Sequence, residues 1–484
     1  MVENAVHIHF IGIGGAGMSG IAKVLLEMGY RVSGSDLKDS RYTHALKERG
    51  AVVTIGHVEE NLEEPDTVVV SSAIPKSNPE VKAAKARSIP IVRRAEMLAW
   101  LGRNMRSIAV AGTHGKTTTT SMISFAFEKS KLDPTFLIGG ELNDIGSNAK
   151  HGNGEFFITE ADESDGSLLY LKPEVIVVTN IEADHLDYYD SLQEIEDIFL
   201  TFVASLPENG FVVACADNPG VARLMKRSDK KFVTYGIESR EAGKAGSHDF
   251  TARNVKQQKF GSVYDLYHMD RYIATVSLNV LGIHNVCNSL ATIALSAELG
   301  LNLDEILSAL SKFSGVKRRF QLVGKTPEVT LIDDYAHHPT EVMATLSAAR
   351  NGDWERLICI FQPHRYSRTK FLGKEFGMAF KDADIVVLTD VYAAGEEPIP
   401  GVTGKVIVDA VLAENPRKRV VYLPKKGEIS KFLLETVREG DLVLTMGAGD
   451  ICAIGEDFLS MLTSRRSSVN PDTTVRSMDW AIGT

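Results

Sequence analysis

Short apolar, strand-like runs alternate with helix-length amphipathic segments along almost the whole chain. Such runs lie at 6–11, 67–70, 107–111, 175–178, 357–361, 385–388 and 442–444, and most are rich in Val, Ile and Leu. Buried strands separated by helices are what a parallel sheet covered on both faces requires. The pattern predicts an α/β fold with mostly parallel sheets. Glycine-bearing breaks near 101–106 and 314–319 each end a helical stretch before a fresh strand. They divide the chain into sections 1–104, 105–317 and 318–464. Residues 465–484, rich in Ser, Thr and Arg, read as a poorly ordered tail. A polar stretch at 238–258 precedes alternating patterns at 264–267 and 272–278, which together read as a β-rich insert packed on the central section.

Composition narrows the classes. With 44% hydrophobic and 24% charged residues, the 484-residue chain has the make-up of a soluble globular protein. A net charge of −10 disfavours a broad basic surface for nucleic acid, though a local cradle of backbone N–H groups can still bind an anion. The four cysteines, Cys215, Cys287, Cys359 and Cys452, are too far apart for a zinc knuckle and read as free thiols of a reducing compartment. Cys287 is read as a packing thiol. No signal-type N-terminus and no apolar run near the ~18 residues of a membrane span are seen, so a cytoplasmic protein without a membrane span is expected. Composition leaves monomer and homodimer both open.

Three groups of residues carry candidate chemistry. The first, Gly12-Ile13-Gly14-Gly15-Ala16-Gly17, follows the first strand and opens a helix near Met18 and Ser19. Glycines allow the tight turn and let a pyrophosphate reach the helix N-terminus. A second strand ends in Ser35-Asp36, about twenty residues on, where a ribose hydroxyl would be met. NAD and a UDP-sugar both satisfy this pattern. The second group, Gly112-Thr113-His114-Gly115-Lys116-Thr117-Thr118, lies between a strand and a helix and is a shortened P-loop, with only Thr113 and His114 between its first glycine and Gly115-Lys116. Backbone N–H groups would cradle the phosphates of ATP, Lys116 would neutralise them, and the Thr117 hydroxyl would reach Mg²⁺. Glu160 and His185, in acidic strand-end clusters at 160–165 and 182–185, are the favoured further metal ligands. In the third group, strand ends present Asp333-Asp334-Tyr335-Ala336-His337-His338, Gln362-Pro363-His364-Arg365-Tyr366-Ser367-Arg368 and Met446-Gly447-Ala448-Gly449-Asp450 to one sheet edge. There Arg365 and Arg368 suit a carboxylate or phosphate.

Taken together in order and spacing, these runs resemble the Mur ligase family. Further runs that carry the resemblance are Ala111 to Thr120, Thr179 to His185, Gly282-Ile283-His284-Asn285, Arg318-Arg319-Phe320 and Asp333 to Glu341. The resemblance implies three domains: a Rossmann-like domain for the UDP-substrate, a central ATPase domain, and a Rossmann-like C-terminal domain for the amino acid. It implies that the first glycine motif, with Gly12, Gly14, Gly15, Gly17, Met18, Ser19, Ser35, Asp36 and Ser72, holds a UDP-sugar. It places His284 and Asn288 at the adenine, Glu160 and His185 at magnesium, and Arg319 near the hinge and the phosphates. His337, Arg365 and Arg368 would position the amino acid and the substrate carboxylate, with His338 beside them. Some relatives carry a carbamylated lysine about a dozen residues after the Asp-His pair. Residues 190–206 contain no lysine, as in the alanine-adding branch.

The implied reaction is ATP- and Mg²⁺-dependent ligation of L-alanine to the carboxylate of UDP-N-acetylmuramate, through an acyl phosphate, in peptidoglycan precursor synthesis. The amine must lose a proton to attack, and His185 or an acid near Asp334 could take it. Catalytic weight is expected on Lys116, His185, Glu160, Arg319 and His338. The nearest rival is a ligase that attaches a recycled tripeptide to the same acid. A nicotinamide-dependent oxidoreductase leaves the P-loop without a task, and a non-enzymatic nucleotide switch leaves the third group without one.

Overall fold

A computed structural model of the chain describes residues 5–71, 73–164, 166–184, 188–238 and 248–469, with side chains to residue 464. Three sheets organise it. The first contains β1 (His7–Ile11), β2 (Arg31–Asp36), β3 (Val52–Ile55), β4 (Thr67–Val70) and β5 (Ile91–Arg93). They pair in parallel in the order β3-β2-β1-β4-β5. The order reverses beside β1, so a crevice opens at its carboxyl end, where the glycine motif sits.

The second sheet comprises β6 (Arg106–Ala111), β7 (Thr135–Leu142), β8 (Ser147–Lys150), β9 (Phe156–Glu160), β10 (Val175–Val178), β11 (Phe211–Cys215), β12 (Lys231–Ile237), β13 (Phe250–Gln258), β14 (Gly261–His268) and β15 (Arg271–Leu278). Its order is β15-β14-β13-β12-β11-β10-β6-β9-β7-β8. The strands expected to form an insert packed on the central section continue its sheet. β13 pairs in parallel with β12, and β14 and β15 follow as an antiparallel meander. The physical reason is that β12 offers an open edge of N–H and C=O groups, which β13 satisfies.

The third sheet contains β16 (Gln321–Lys325), β17 (Val329–Asp334), β18 (Leu357–Phe361), β19 (Ile385–Leu388), β20 (Arg419–Tyr422) and β21 (Asp441–Met446), ordered β16-β17-β21-β18-β19-β20. All but β16 run parallel to their neighbours. The fold is α/β with largely parallel sheets, as the hydrophobic pattern requires.

The chain forms two compact units, Met1–Lys317 and Arg318–Thr484. Within the first, one apolar cluster runs from the first sheet into the second. It joins Phe10, Met18, Ile21 and Leu25 to Leu137, Ala149, Phe157 and Ile176. The helix Ala16–Glu27 after the glycine motif is therefore clamped between the two sheets. The central strands are buried along their full length, as β10 (Val-Ile-Val-Val) shows, which explains their continuous apolar sequence. In the second unit, separate apolar clusters cover the two faces of the third sheet. The helix Cys452–Val469 closes that unit. The expected tail falls largely outside the described residues. Among the described residues, no helix is long and apolar enough to cross a membrane.

Candidate active site

The P-loop is built between β6 and the helix Lys116–Lys129. Gly112 has φ +135°, and a Cβ there would lie 2.1 Å from the Thr179 hydroxyl. Gly115, with φ +80°, caps the helix, and a Cβ there would meet Asn288 Oδ1 at 2.9 Å. Only glycine fits either place. The loop is fastened to the end of β10. Thr113 N–H donates to the Asn180 carbonyl at 3.1 Å, and His114 N–H donates to Asn180 Oδ1 at 2.8 Å. The Thr179 hydroxyl and the Asn180 amide both donate to the His114 carbonyl, at 2.6 and 3.0 Å. Asn180, not singled out among the candidate residues, thus holds the loop from both sides.

Lys116 is half-buried against an acid. Its Nζ donates to Gly112 O at 2.6 Å and to the two carboxylate oxygens of Glu163 at 2.8 and 2.9 Å. Burial pulls its pKa down, but Glu163, with Asp162 and Glu160 beyond it, outweighs that and raises it. Lys116 is a full cation at neutral pH. The Thr117 hydroxyl lies 3.1 Å from Glu160 Oε2, and Glu160 Oε1 accepts the Gly139 N–H at 2.5 Å. A hydroxyl and a carboxylate oxygen are the donor types that a hard cation takes. His185 lies outside the described residues.

A cavity of about 370 Å³ joins this loop to the first glycine motif. Gly15, Gly17 and Met18 line it on one side, Lys116, Glu160 and Asp162 on the other, and Ser71, Arg94 and Asn148 complete it. Arg94 was not picked out from sequence. It is the first residue of a helix that begins directly after β5, and that strand is too short to register as an apolar run. Ser19 lines a neighbouring cavity of about 250 Å³ instead, with Lys23, Arg41 and Lys317.

The end of β2 organises the glycine motif. The Ser35 carbonyl accepts the N–H groups of Gly12 and Ile13 at 2.8 and 3.0 Å, and Asp36 Oδ2 accepts that of Gly14 at 2.8 Å. The Ser35 hydroxyl, expected to face substrate, is fully buried and donates to Glu80 at 2.6 Å. Side chains alternate along a strand, so Ser35 and Asp36 point to opposite faces and only one can face the motif. Ser72 lies outside the described residues.

His284 and Asn288 lie one turn apart on the helix Ile283–Glu298. His284 is exposed, whereas Asn288 is buried, accepting the Thr119 hydroxyl at 3.0 Å and donating to Asn285 Oδ1 at 3.1 Å. Asn288 therefore backs the P-loop at Gly115. Thr118 stands on the first turn of the P-loop helix, half-buried.

In the second unit, β17, β21 and β18 are adjacent and parallel, so the three polar strand ends share one edge. His338 caps the helix Pro339–Arg350, its Nδ1 accepting from Thr340 N–H. His337 Nδ1 lies 2.9 Å from the Tyr335 carbonyl, and its ring stands 5.6 Å from that of His364. Arg368 reaches His364 Nδ1 at 3.3 Å, and Arg365 holds a left-handed backbone with φ +70° at the start of its helix. Such strain in a non-glycine residue gathers at functional places. Burial, then His337, Arg368, Arg365 and Arg318, lower the His364 pKa to about 3. Burial raises Asp334 to about 6, against the pull of Arg319 and the N–H groups of Ala336 and Phe320. Arg319 lies over the Tyr335 ring at 5.1 Å. Its neighbour Arg318 bonds Asp333 and the carbonyls of Gly447 and Gly449, so it fixes the glycine turn after β21.

Comparisons with known proteins agree with this arrangement. Residues 7–106 match the family model described as Mur ligase family, catalytic domain; residues 110–296 match the Mur ligase middle domain; residues 318–449 match the Mur ligase, glutamate ligase domain. A UDP-N-acetylmuramate–L-alanine ligase of Pelotomaculum thermopropionicum is 48% identical, over 94% of this chain and 97% of that protein. Among solved structures, a UDP-N-acetylmuramate–alanine ligase from Thermotoga maritima has 31% identity and a TM-score of 0.79, covering 95% of this chain and 99% of that one. A murein peptide ligase from Psychrobacter arcticus has 25% identity and a TM-score of 0.70, covering 94% and 98%.

Proposed function

The chain belongs to the Mur ligase family, and on that premise we propose that it joins L-alanine to the carboxylate of UDP-N-acetylmuramate, driven by ATP. The observation that carries this reading is the single cavity lined by the first glycine motif, Lys116 and Glu160. A UDP-linked acid seated on the motif would point its carboxylate at phosphates held by the P-loop. The relatives named for alanine support that choice of amino acid over the tripeptide.

The chemistry follows from charge. A carboxylate oxygen attacks the γ-phosphorus of ATP, a P–O bond forms, and ADP leaves with the electron pair of the broken bond. The product is an acyl phosphate. Two anions must meet, so positive charge at the phosphates is the first requirement. Lys116 supplies it, already held in place by Glu163 and the Gly112 carbonyl. The amine of L-alanine then attacks the acyl carbon, loses a proton and expels phosphate. Thr117 and Glu160 suit a magnesium ion, which would neutralise the β and γ oxygens. The UDP half stays on the glycine motif throughout, with Arg94 beside it as an anion partner.

The test is phosphate release from ATP in the presence of UDP-N-acetylmuramate, with L-alanine, glycine, L-serine or the L-Ala-D-Glu-meso-diaminopimelate tripeptide added in turn. Release that requires the UDP-acid and is greatest with L-alanine is expected. Release with the tripeptide alone moves the chain to the peptide-recycling branch. No release with any acceptor refutes ligase chemistry.

A further inference from the structure

Behind the first glycine motif lies a buried polar network on the sheet face opposite Asp36. Glu80, the second residue of the helix Pro79–Ala86, is fully buried. Its Oε2 accepts the Ser35 hydroxyl at 2.6 Å and faces His9 Nε2 at 3.3 Å. Its Oε1 accepts the Asn61 amide at 2.5 Å and lies 3.6 Å from His57 Nδ1. His57 Nδ1 also lies 2.9 Å from the Ser35 hydroxyl, while the Ser33 hydroxyl bridges His7 and His9 at 2.8 Å each. A buried carboxylate is costly unless several donors satisfy it, and this one is surrounded by donors. Burial alone would raise its pKa, but the bonds from His9, Ser35 and Asn61 outweigh burial and lower it.

Most of these contacts converge on Glu80, and through it on Ser35, the residue whose carbonyl holds Gly12 and Ile13. We propose that Glu80 is a positioning residue for the first glycine motif: by fixing the Ser35 hydroxyl it sets the end of β2, and through the Ser35 carbonyl and the Asp36 carboxylate it sets the N–H groups of Gly12, Ile13 and Gly14. The chain of contacts is continuous, from Glu80 Oε2 to Ser35 Oγ on one face and from Ser35 O and Asp36 Oδ2 to three successive N–H groups at the crevice. A loop whose backbone must fit a pyrophosphate gains affinity from being held in place before the ligand arrives. Glu80 is not among the residues that line the cavity, so its effect is on binding of the UDP-acid and not on phosphoryl transfer. This inference rests on the proposed function for its choice of ligand, and its closing experiment includes a readout that needs no ligand.

Glu80→Gln keeps the volume and removes the charge that accepts several donors at once. The expected result is a KM for UDP-N-acetylmuramate raised about tenfold or more, the effect of losing about one charge-assisted hydrogen bond. The kcat at saturation and the KM for ATP should stay within about twofold. Ser35→Ala should give the same split, and in the Glu80→Gln background it should add little, because the two act through one link. Asn61→Ala, which leaves the Ser35–Glu80 bond in place, should have the smaller effect. Hydrogen exchange of the Gly12, Ile13 and Gly14 amides, measured without ligand, should quicken in Glu80→Gln and in Ser35→Ala. Should Glu80→Gln fail to fold, Ser35→Ala alone decides. Unchanged amide exchange in the folded variants overturns the positioning role. So does a KM increase shared equally with ATP. Faster exchange in a protein that does not bind UDP-N-acetylmuramate upholds the positioning and refutes only the choice of ligand.

Discussion

Replacing Gly115 by Ala is the sharpest test of how the P-loop is held. Two costs follow from the structure. The backbone at Gly115 has φ +80°, and an L-residue there costs about 1–2 kcal/mol. The new Cβ would also lie 2.9 Å from Asn288 Oδ1, inside van der Waals contact. Asn288 must then move, and its bond from the Thr119 hydroxyl is lost, at about 1 kcal/mol. The sum is about 2–3 kcal/mol. Where it appears depends on whether the free loop can relax. If it can, the nucleotide must restore the strained form, and ATP binding weakens about 30- to 150-fold. If it cannot, the same energy is subtracted from folding stability.

Both quantities are therefore to be measured on Gly115→Ala: calorimetric Kd for a non-hydrolysable ATP analogue with Mg²⁺, and urea unfolding. The two losses together should reach about 2–3 kcal/mol, while affinity for UDP-N-acetylmuramate stays within about threefold. Asn288→Ala should cost less in the Gly115→Ala background than alone, since the close contact is then relieved. Combined losses below about 0.5 kcal/mol would refute the reasoning.

The other predictions draw on the same sites. Lys116→Ala should lower the ligation rate by about a hundredfold or more, with UDP-N-acetylmuramate binding unchanged by calorimetry; retained turnover would sink the mechanism. Glu160→Gln should raise the Mg²⁺ concentration for half-maximal rate about tenfold or more, and an unchanged Mg²⁺ titration would remove Glu160 from the metal site. Asp334 and His364 should pull stability in opposite directions with pH. Burial raises Asp334 to about 6, so its contribution is full below the ordinary carboxylate range and is lost as pH rises through about 6. That loss is about 3 kcal/mol for a shift of about two units. Burial and neighbouring cations lower His364 to about 3, so its contribution is present above the ordinary imidazole range and is lost as pH falls. Asp334→Asn should therefore leave urea stability rising more steeply with pH between about 4 and 6, and His364→Asn should leave it falling; unchanged slopes would refute both.

What could be read from the sequence was whatever lies on one stretch of chain. β10 is four apolar residues in a row, and the P-loop glycines, lysine and threonine are contiguous, so periodicity and spacing sufficed. What could not be read depends on contacts between distant stretches. Glu163 pairs with Lys116 across 47 positions, and it stands in an acidic run that could as well be a solvated loop. Glu80 reaches Ser35 across 45 positions, and by itself it is one more helix glutamate. Arg318 and Arg319 are adjacent, look equivalent and both lie over the Tyr335 ring, yet Arg318 fastens the turn after β21 while Arg319 turns to Glu341. The residues at 264–267 and 272–278 read as strands but not as a continuation of the central sheet, and β13 falls in what reads as a polar stretch, because edge pairing leaves no mark in periodicity.

The two glycine loops of the first unit share one construction, and it explains how a chain of net charge −10 can handle polyanions. In each, the strand beside the loop holds the loop backbone by its last residues: Ser35 and Asp36 of β2 for the first motif, Thr179 and Asn180 beyond β10 for the P-loop. In each, an asparagine or glutamate on a packed helix supports the arrangement from behind: Asn288 at Gly115 and Glu80 at Ser35. Backbone N–H groups fixed in this way supply partial positive charge at helix N-termini without basic side chains. Few full cations are then needed, and those the cavity has, Lys116 and Arg94, stand on opposite sides of it. A loop whose positive charge comes from fixed backbone N–H groups binds where its own shape fits the ligand, so each ligand is selected by its own loop. Two polyanionic substrates can thus be accepted side by side, with their positive charge concentrated where the carboxylate must meet the phosphorus.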